Sequence, residues 1–183
     1  VVMEDGIGWI TEIEERKNYI VRRPANLSKQ LHIIAANVDQ LILVVTIKHP
    51  ETSTVFIDRV LATAEAYRIP ATLVVNKCDL YSDEEWEYLN MLRILYEGIG
   101  YGFIVVSAET GENVDELKRR LNGKISVLSG NSGVGKSSLI NSISSDITVK
   151  TGEISNIHDK GMHTTTFSEM FEIAQDTYLI DTP

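Results

Sequence analysis

The sequence predicts an α/β fold in which a mostly parallel sheet carries helices on both faces. Three observations lead to this prediction. Short, continuously apolar runs, which are typical of strands covered on both faces, alternate with segments whose apolar residues recur at helical spacing. A glycine-rich motif of the phosphate-binding type lies between one such run and one such helix. Polar motifs follow other runs where strands should end, which is the edge at which open α/β sheets bind ligands.

Length, composition and charge limit the possibilities. The chain has 183 residues, of which 43% are hydrophobic, enough for one sizeable core and a small additional region. The longest apolar runs, such as Leu41–Val45, are too short to cross a membrane. The single cysteine, Cys78, excludes a disulfide framework and a cysteine-based zinc site, and with no visible signal peptide we expect a cytoplasmic location. The net charge of −9 argues against indiscriminate nucleic-acid binding. The chain lacks an initial Met and stops at Pro183 in what resembles an unfinished motif, so we expect a piece of a longer protein.

The first 36 residues are expected to be a partial β region and a connector. Strand-like runs at Gly8–Ile13 and Tyr19–Arg22 flank a charged turn and predict a hairpin, and Pro24–Ala36 is interpreted as the connector. Because a single hairpin is barely stable alone, it should belong to a larger β unit. The stretch 16–29 is basic and contains no acidic residue, although a solvated hairpin explains it equally well. Its candidate RNA contacts are Arg16, Lys17, Tyr19, Arg22 and Arg23.

Alternating strands and helices are predicted from residue 37 to residue 183. The strands are expected at Leu41–Val45, Ala71–Val75, Phe103–Val106, Lys124–Ser129, Thr166–Ile173 and Thr177–Ile180. The helices are expected over Phe56–Ala64, from Ser82 to the glycines beginning at Gly98, around Val114–Leu121 and over Ser138–Ile143. The segment Val149–Thr166 has little apolar periodicity and is interpreted as a mobile loop beside the phosphates.

Two of the helices carry capping signals. Ser82 with Glu85 fits a capping box, and Asn113 with Glu116 fits the same pattern. The helix after Ser82 is expected to bury the apolar residues Trp86, Leu89, Leu92, Ile94 and Leu95.

The phosphate-binding motif G-x-x-x-x-G-K-[ST] spans Gly130–Ser137 between a predicted strand and a predicted helix. Its glycines let backbone N–H groups approach phosphate oxygens, and the helix N-terminus adds a partial positive charge. Lys136 is expected to reach the β- and γ-phosphates, and the Ser137 hydroxyl to ligate Mg²⁺. The expected nucleotide contacts here are Gly130, Asn131, Ser132, Gly133, Val134, Gly135, Lys136, Ser137 and Ser138.

Two further motifs predict recognition of guanine. In Asn76-Lys77-Cys78-Asp79 the carboxylate of Asp79 can accept from guanine N1–H and N2–H₂, a donor pair that adenine lacks. The stem of Lys77 can cover the base, and Asn76 can connect this loop to the phosphate loop or to the base. After the next strand, Ser107-Ala108 brings the N–H of Ala108 near guanine O6. The alternative interpretation of either motif alone is a polar turn.

The order of these motifs is a cyclic rotation of the order in most GTPases, which begin with the phosphate loop. Here guanine recognition comes first, and Asp181, which can hold Mg²⁺ through a water, comes last. Rotation is possible when the old termini lie close together. The few residues between the helix at Leu117 and the strand at Ile125 would supply that closure.

At this point the chain resembles the ribosome-small-subunit-dependent GTPase A family, circularly permuted GTPases of bacterial ribosome biogenesis. The motifs that carry the resemblance are Ala36-Asn37-Val38-Asp39-Gln40, Ile57-Asp58-Arg59, Asn76-Lys77-Cys78-Asp79-Leu80, Gly130–Ser138 and His163-Thr164-Thr165-Thr166. The resemblance implies a circularly permuted P-loop GTPase domain, here 37–183, after a partial OB-type β region, here 1–36. It also implies a C-terminal zinc-binding domain beyond these 183 residues, the only place where zinc is expected.

The resemblance also extends the candidate site. It favours Thr165 among three adjacent threonines as a Mg²⁺ ligand, and it favours His163 beside Lys136 as a catalytic residue. From Leu121 to Pro183 the chain has no arginine that could serve as an arginine finger. The implied ligands are GTP or GDP with Mg²⁺, and the implied partners are the small ribosomal subunit and its rRNA, with the chain a monomer and no membrane involved.

Three functions remain open from the sequence. The first is a GTPase whose turnover the small subunit stimulates during late assembly. The second is a nucleotide-gated rRNA-binding module in which hydrolysis is incidental, and stimulation of hydrolysis by small subunits would separate it from the first. The third is a phosphate-loop ATPase or small-molecule kinase, against which the Asn76-Lys77-x-Asp79 motif argues.

Overall fold

The computed structural model describes residues 2–4, 7–22, 32–144 and 168–182. The strands are β1 Val2–Glu4, β2 Ile7–Trp9, β3 Tyr19–Arg22, β4 His32–Ala36, β5 Gln40–Val45, β6 Ala71–Val75, β7 Gly102–Val105, β8 Ile125–Ser129, β9 Glu169–Ala174 and β10 Thr177–Asp181. The helices are α1 Thr54–Ala66, α2 Asp83–Gly98, α3 Val114–Leu121 and α4 Lys136–Ile143, and a short 3₁₀ turn covers Cys78–Leu80.

A six-stranded sheet forms the centre of the fold, with the strand order β7-β6-β5-β8-β10-β9. Five of its strands are parallel, and only β9 runs antiparallel, against β10. The predicted, mostly parallel sheet is therefore confirmed. The adjacent central strands β5 and β8 bring the two halves of the rotated chain together.

Alternating side chains of the sheet fill two separate layers, as expected when strands are covered on both faces. Ile42 and Val44 pack in the layer of α3 and α4. Leu43 and Val45 pack in the layer of α1 and α2. Because both layers are apolar and buried, the predicted helices on both faces are confirmed.

The helix starts follow their local chemistry, with one exception. Ser82 and Glu85 form the predicted capping box of α2, and Ser53 caps α1 by accepting from the N–H of Phe56. The predicted cap at Asn113 is wrong, because this residue has a left-handed backbone (φ 55°) and its side chain makes no cap. Its amide nitrogen instead donates to the carbonyl oxygen of Val105 at 2.9 Å.

The buried face of α2 differs in part from the prediction. Leu89 and Leu92 are buried as expected, and Trp86 is half-buried against the same layer. Ile94 and Leu95 are exposed, so their predicted burial is wrong. Tyr96 takes the core position instead, with its hydroxyl donating to Asp58 Oδ1 on α1 at 2.8 Å. The run Ile94-Leu95-Tyr96 is apolar throughout, so composition alone could not show which of its residues faces the sheet.

Strand pairing in the first 36 residues also corrects the prediction. β2 pairs with β1, and β3 pairs with β4, so the predicted hairpin between Gly8–Ile13 and Tyr19–Arg22 is wrong. His32–Ala36 was interpreted as connector but is the strand β4. The hairpin prediction failed because it paired β3 with the nearest strand-like run, whereas its partner β4 lies farther along the chain, after residues 23–31. The OB-type barrel itself stays a prediction.

The junction that closes the rotated chain is short and well bonded. Only residues 122–124 separate α3 from β8. Asp39 Oδ2 accepts from the N–H of Ile125 at 2.8 Å, and Thr177 Oγ1 accepts from the N–H of Gly123 at 3.0 Å. The predicted closure between these elements is confirmed. Among the described residues, no helix is both long and apolar enough to span a bilayer.

Candidate nucleotide site

The phosphate loop, residues 130–137, leaves the carboxyl end of β8 and leads into α4. Three of its glycines have positive φ values, and two of these also lack room for a side chain. A Cβ on Gly130 would lie 2.3 Å from the carbonyl oxygen of Val44, and one on Gly135 would lie 2.4 Å from Asn76 Nδ2. Between them, Val134 is fully buried and anchors the loop to the core. Glycine is thus required here by contact as well as by backbone conformation.

Lys136 lies folded over this loop. Its Nζ donates to the carbonyl oxygens of Gly130 at 2.7 Å and Asn131 at 3.3 Å. Burial lowers the pKa of Lys136, and the nearby carboxylate of Asp181 opposes that shift. Held beside the phosphate loop in this way, the ammonium of Lys136 suits the anionic oxygens of a nucleotide phosphate.

Asp181 ends β10 at the same edge and is 2% exposed. The next residue, Thr182, fixes the strand end because its Oγ1 donates to the carbonyl oxygen of Leu128 at 2.9 Å. Asp181 is thereby held next to the phosphate loop, where the sequence predicted it.

Asn76 connects all three sequence motifs. Its side chain is 1% exposed, and its Nδ2 donates to the carbonyl oxygen of Val134 at 2.9 Å, inside the phosphate loop. Its Oδ1 accepts from the N–H of Ala108 at 3.0 Å. The predicted tie between Asn76 and the phosphate loop is therefore confirmed. The N–H of Ala108, expected near guanine O6, has Asn76 as its acceptor in this structure.

Asp79 is exposed at this edge and is oriented by Ser107. The hydroxyl of Ser107 donates to Asp79 Oδ1 and accepts from the N–H of Thr110 at 3.1 Å. This assigns Ser107 a definite part in the site, which is to fix the rotamer of the carboxylate. An exposed, oriented carboxylate can accept from a paired N–H donor such as the guanine edge.

Lys77 spans the gap between the guanine-recognition loop and the phosphate loop. Its backbone is left-handed (φ 66°), and its Nζ donates to the carbonyl oxygens of Gly133 at 2.8 Å and of His49. Desolvation lowers the pKa of Lys77, and Asp79 opposes this effect. With its ammonium fixed at the phosphate loop, the stem of Lys77 crosses the space between the two loops, as base covering requires.

His49 belongs to a segment that the sequence analysis missed, residues 46–50, hereafter the β5 strap. The strap follows the carboxyl end of β5, and Pro50 Cδ would lie 3.4 Å from a Cβ on Gly133. The rule that identified the other motifs, polar residues after a buried strand, applies equally to Thr46 and Lys48. Tyr81, which bonds the strap to Asn76, was also missed, and no sequence pattern marked it.

The residues available for Mg²⁺ have the oxygen donors that this ion prefers. Ser137 lies in the first turn of α4, and the Asp181 carboxylate lies beside the same loop. In the described parts of the chain, no group of three or more His, Cys, Asp or Glu residues could hold a metal ion. The predicted ligand Thr165 and the predicted catalytic residue His163 lie outside the described residues, as does the whole of the predicted loop Val149–Thr166.

The candidate RNA contacts are only partly described. Arg16 and Lys17 are exposed just before β3, and the N–H of Lys17 donates to Asn37 Oδ1 at 2.9 Å. The ring of Tyr19 packs against Tyr67 with centroids 4.9 Å apart, so part of its surface is covered by α1's C-terminal end. The side chain of Arg22 and all of Arg23 lie outside what the structure describes.

Comparison with known protein families gives a match over most of the chain. A family model described as RsgA GTPase matches residues 13–183. The chain is 60% identical over 183 residues to "Small ribosomal subunit biogenesis GTPase RsgA 2" of Bacteroides thetaiotaomicron, covering 59% of that protein. It is 58% identical over 183 residues to "Small ribosomal subunit biogenesis GTPase RsgA" of Phocaeicola vulgatus, again covering 59%. The chain thus spans less than two thirds of the length of these relatives.

Solved structures show the same architecture. The crystal structure of YjeQ from Thermotoga maritima matches with a TM-score of 0.73 and 38% identity, covering 94% of this chain and 53% of that one. The structure of YloQ, described as a circularly permuted GTPase, matches with a TM-score of 0.69 and 25% identity, covering 100% of this chain and 53% of that one. The rotated order predicted from the motifs is therefore confirmed as a known architecture.

Proposed function

Because this chain belongs to the RsgA GTPase family, we propose that its site binds GTP and GDP with Mg²⁺ and hydrolyses GTP. The observation that carries the proposal is the position of Asn76. One buried amide bonds the phosphate loop through Val134 and the second guanine motif through Ala108. A phosphate site and a base site joined in this way fit one nucleotide.

The proposed division of roles follows the geometry. Asp79, oriented by Ser107, accepts from the guanine edge, and the stem of Lys77 covers the base. The phosphate loop with Lys136 and Ser138 binds the phosphates. Ser137 would bind Mg²⁺ directly and Asp181 would hold it through a water, and the ion would neutralise phosphate charge during hydrolysis. We assign the third Mg²⁺ contact to Thr165 and the orientation of the attacking water to His163.

We further propose that the whole protein acts in the cytoplasm, as a monomer, in late assembly of the small ribosomal subunit. The printed names of the two relatives above support this, since both are called small ribosomal subunit biogenesis GTPases. Residues 1–36 are the proposed partial OB-type region. Its proposed rRNA contacts are Arg16, Lys17, Tyr19, Arg22 and Arg23, and Arg16 and Lys17 are exposed. Residues 37–183 are the proposed nucleotide domain.

The deciding experiment measures GTP hydrolysis by the full-length protein with and without purified small subunits. The proposal expects slow turnover alone and clear stimulation by small subunits but not by large subunits. Unstimulated turnover combined with GTP-dependent subunit binding would favour the alternative, a nucleotide-gated rRNA-binding module. Equal competition by ATP and GTP would exclude guanine recognition at this site.

A further inference from the structure

Tyr81 joins the ends of two neighbouring strands next to the candidate base site. Its hydroxyl accepts from the N–H of Ile47, in the β5 strap, at 3.0 Å. The same hydroxyl donates to the carbonyl oxygen of Asn76, directly after β6. A phenol has one donor and can accept as well, so a single oxygen satisfies two backbone groups that belong to no strand ladder.

Both partners of Tyr81 lead directly to proposed nucleotide contacts. Asn76 bonds the phosphate loop and Ala108 through its side chain. The β5 strap supplies, at His49, one of the two carbonyl acceptors for Lys77 Nζ. Tyr81 is therefore the point at which the main chain of the guanine-recognition motif and the support of Lys77 are fixed relative to each other.

The hydroxyl and the ring of Tyr81 make different contacts, so the role of the hydroxyl can be tested alone. The ring packs edge-on against Trp86 with centroids 6.3 Å apart, a contact that phenylalanine would keep. Burial raises the pKa of Tyr81 to about 12, so the hydroxyl stays protonated and able to donate near neutral pH. A second link outside this centre, between Lys48 Nζ and Glu85 Oε1 at 2.9 Å, joins the strap to the start of α2.

We propose that Tyr81 is a positioning residue that sets guanine affinity and selectivity, by holding the Asn76 main chain and the β5 strap in register. The inference rests on the proposed function and adds a specificity determinant to it. Tyr81 touches no nucleotide atom in this account. It acts through Asn76 and Lys77, and through Asp79 in the 3₁₀ turn that follows them.

The test compares full-length Tyr81→Phe with the unaltered protein by titration calorimetry with GDP and with IDP. IDP lacks the 2-amino group, so it makes one fewer contact with Asp79 and depends less on the position of this carboxylate. We expect GDP affinity to fall about three- to tenfold, the effect of losing ordinary hydrogen bonds, and the preference for GDP over IDP to narrow. The matched control is Tyr88→Phe on α2, where the side chain is 40% exposed, and it should change neither affinity.

Two further measurements make the test independent of folding. Hydrogen exchange at the Ile47 amide should accelerate in Tyr81→Phe, which shows that the bond existed and was removed. Thermal unfolding without nucleotide, followed by tryptophan emission, should show a folded variant. The inference would be overturned by an unchanged exchange rate at the Ile47 amide or by an unchanged GDP affinity. It would also be overturned by equal losses of GDP and IDP affinity, because these would indicate only a general loosening of the site.

Failure of the proposed function would be distinguishable. If Asp79→Asn kept its full preference for guanine, the base site itself would be misplaced and both proposals would fall. If Asp79→Asn lost this preference while Tyr81→Phe kept normal GDP affinity, the base site would stand and only the role of Tyr81 would be rejected.

Discussion

Asp79 is the residue on which the choice of base depends. The carboxylate is exposed, and the hydroxyl of Ser107 donates to its Oδ1, so the carboxylate is both oriented and accessible to a base. We predict that Asp79→Asn lowers GDP affinity at least about tenfold, because hydrogen bonds to a charged group contribute about 1.5–3 kcal/mol each. Xanthosine diphosphate, whose edge presents an acceptor to the new amide, should bind the variant better than GDP does. Calorimetry with both nucleotides measures this, and an undiminished preference for guanine would remove Asp79 from the base site.

Gly135 is the residue at which the phosphate loop and Asn76 come closest. Its φ of +93° already favours glycine, and an added Cβ would lie 2.4 Å from Asn76 Nδ2. We predict that Gly135→Ala lowers stability by about 1–2 kcal/mol through the left-handed backbone, and lowers GDP affinity more than tenfold through displacement of Asn76.

The matched control for that change is Gly111→Ala. Gly111 has a φ of +81°, and a Cβ added there would have nothing within 4 Å, so Gly111→Ala introduces the same kind of backbone strain without a clash. Thermal unfolding and GDP titration of both variants separate the two effects. Equal GDP affinities in the two variants would show that contact between Gly135 and Asn76 does not matter for the nucleotide.

At the scale of the elements, the buried strands of the central sheet and the capping box of α2 were the most predictable features. Ala71–Val75 was predicted to the residue, because a mostly apolar run lies between Pro70 and the polar Asn76, which mark its two ends. The pairing of β3 with β4 was missed because it depends on contacts across nine intervening residues, 23–31. The motifs located the candidate site, yet they could not show that Ala108's N–H bonds Asn76 or that Tyr81 spans two strand ends. Such contacts arise from packing between elements, which leaves no periodic signal in the sequence.

The start of α2 gives a prediction for pH. The pKa of Glu85 is lowered from 4.5 to about 2, first by its hydrogen bond with Lys48 and then by the N–H of Ser82. A carboxyl with a lowered folded-state pKa stabilises above its unfolded pKa and loses this contribution as the pH falls through the folded one. We therefore predict that Glu85→Gln flattens the loss of thermal stability between about pH 4.5 and pH 2. Glu87→Gln, which removes a charge from an exposed site on the same helix, should leave that loss unchanged, and a similar effect of both variants would contradict the assignment to Glu85.

At the scale of the whole molecule, the rotated order of the chain brings segments from both of its halves to the nucleotide site. β10 ends at Asp181 in the candidate site, beside the phosphate loop. The β5 strap, at the other half of the rotated chain, lies against the same loop at Gly133. Both halves of the chain therefore meet at the phosphate loop.

The last prediction concerns how the small subunit would stimulate turnover. Between Leu121 and Pro183 the chain offers no arginine, so a stimulating charge of the arginine-finger type, worth about 10³–10⁵ in rate, has no source in that segment. His163 lies outside the described residues, and our assignment of it to the attacking water depends on the subunit bringing it to the γ-phosphate. His163→Ala should abolish most subunit-stimulated hydrolysis while leaving GTP affinity nearly unchanged, whereas Lys136→Ala should lose nucleotide affinity as well. The matched control is His49→Ala, because the β5 strap contacts Lys77 through the His49 carbonyl rather than through its ring. Full stimulation of His163→Ala at saturating GTP would mean that the ribosome itself supplies the missing group.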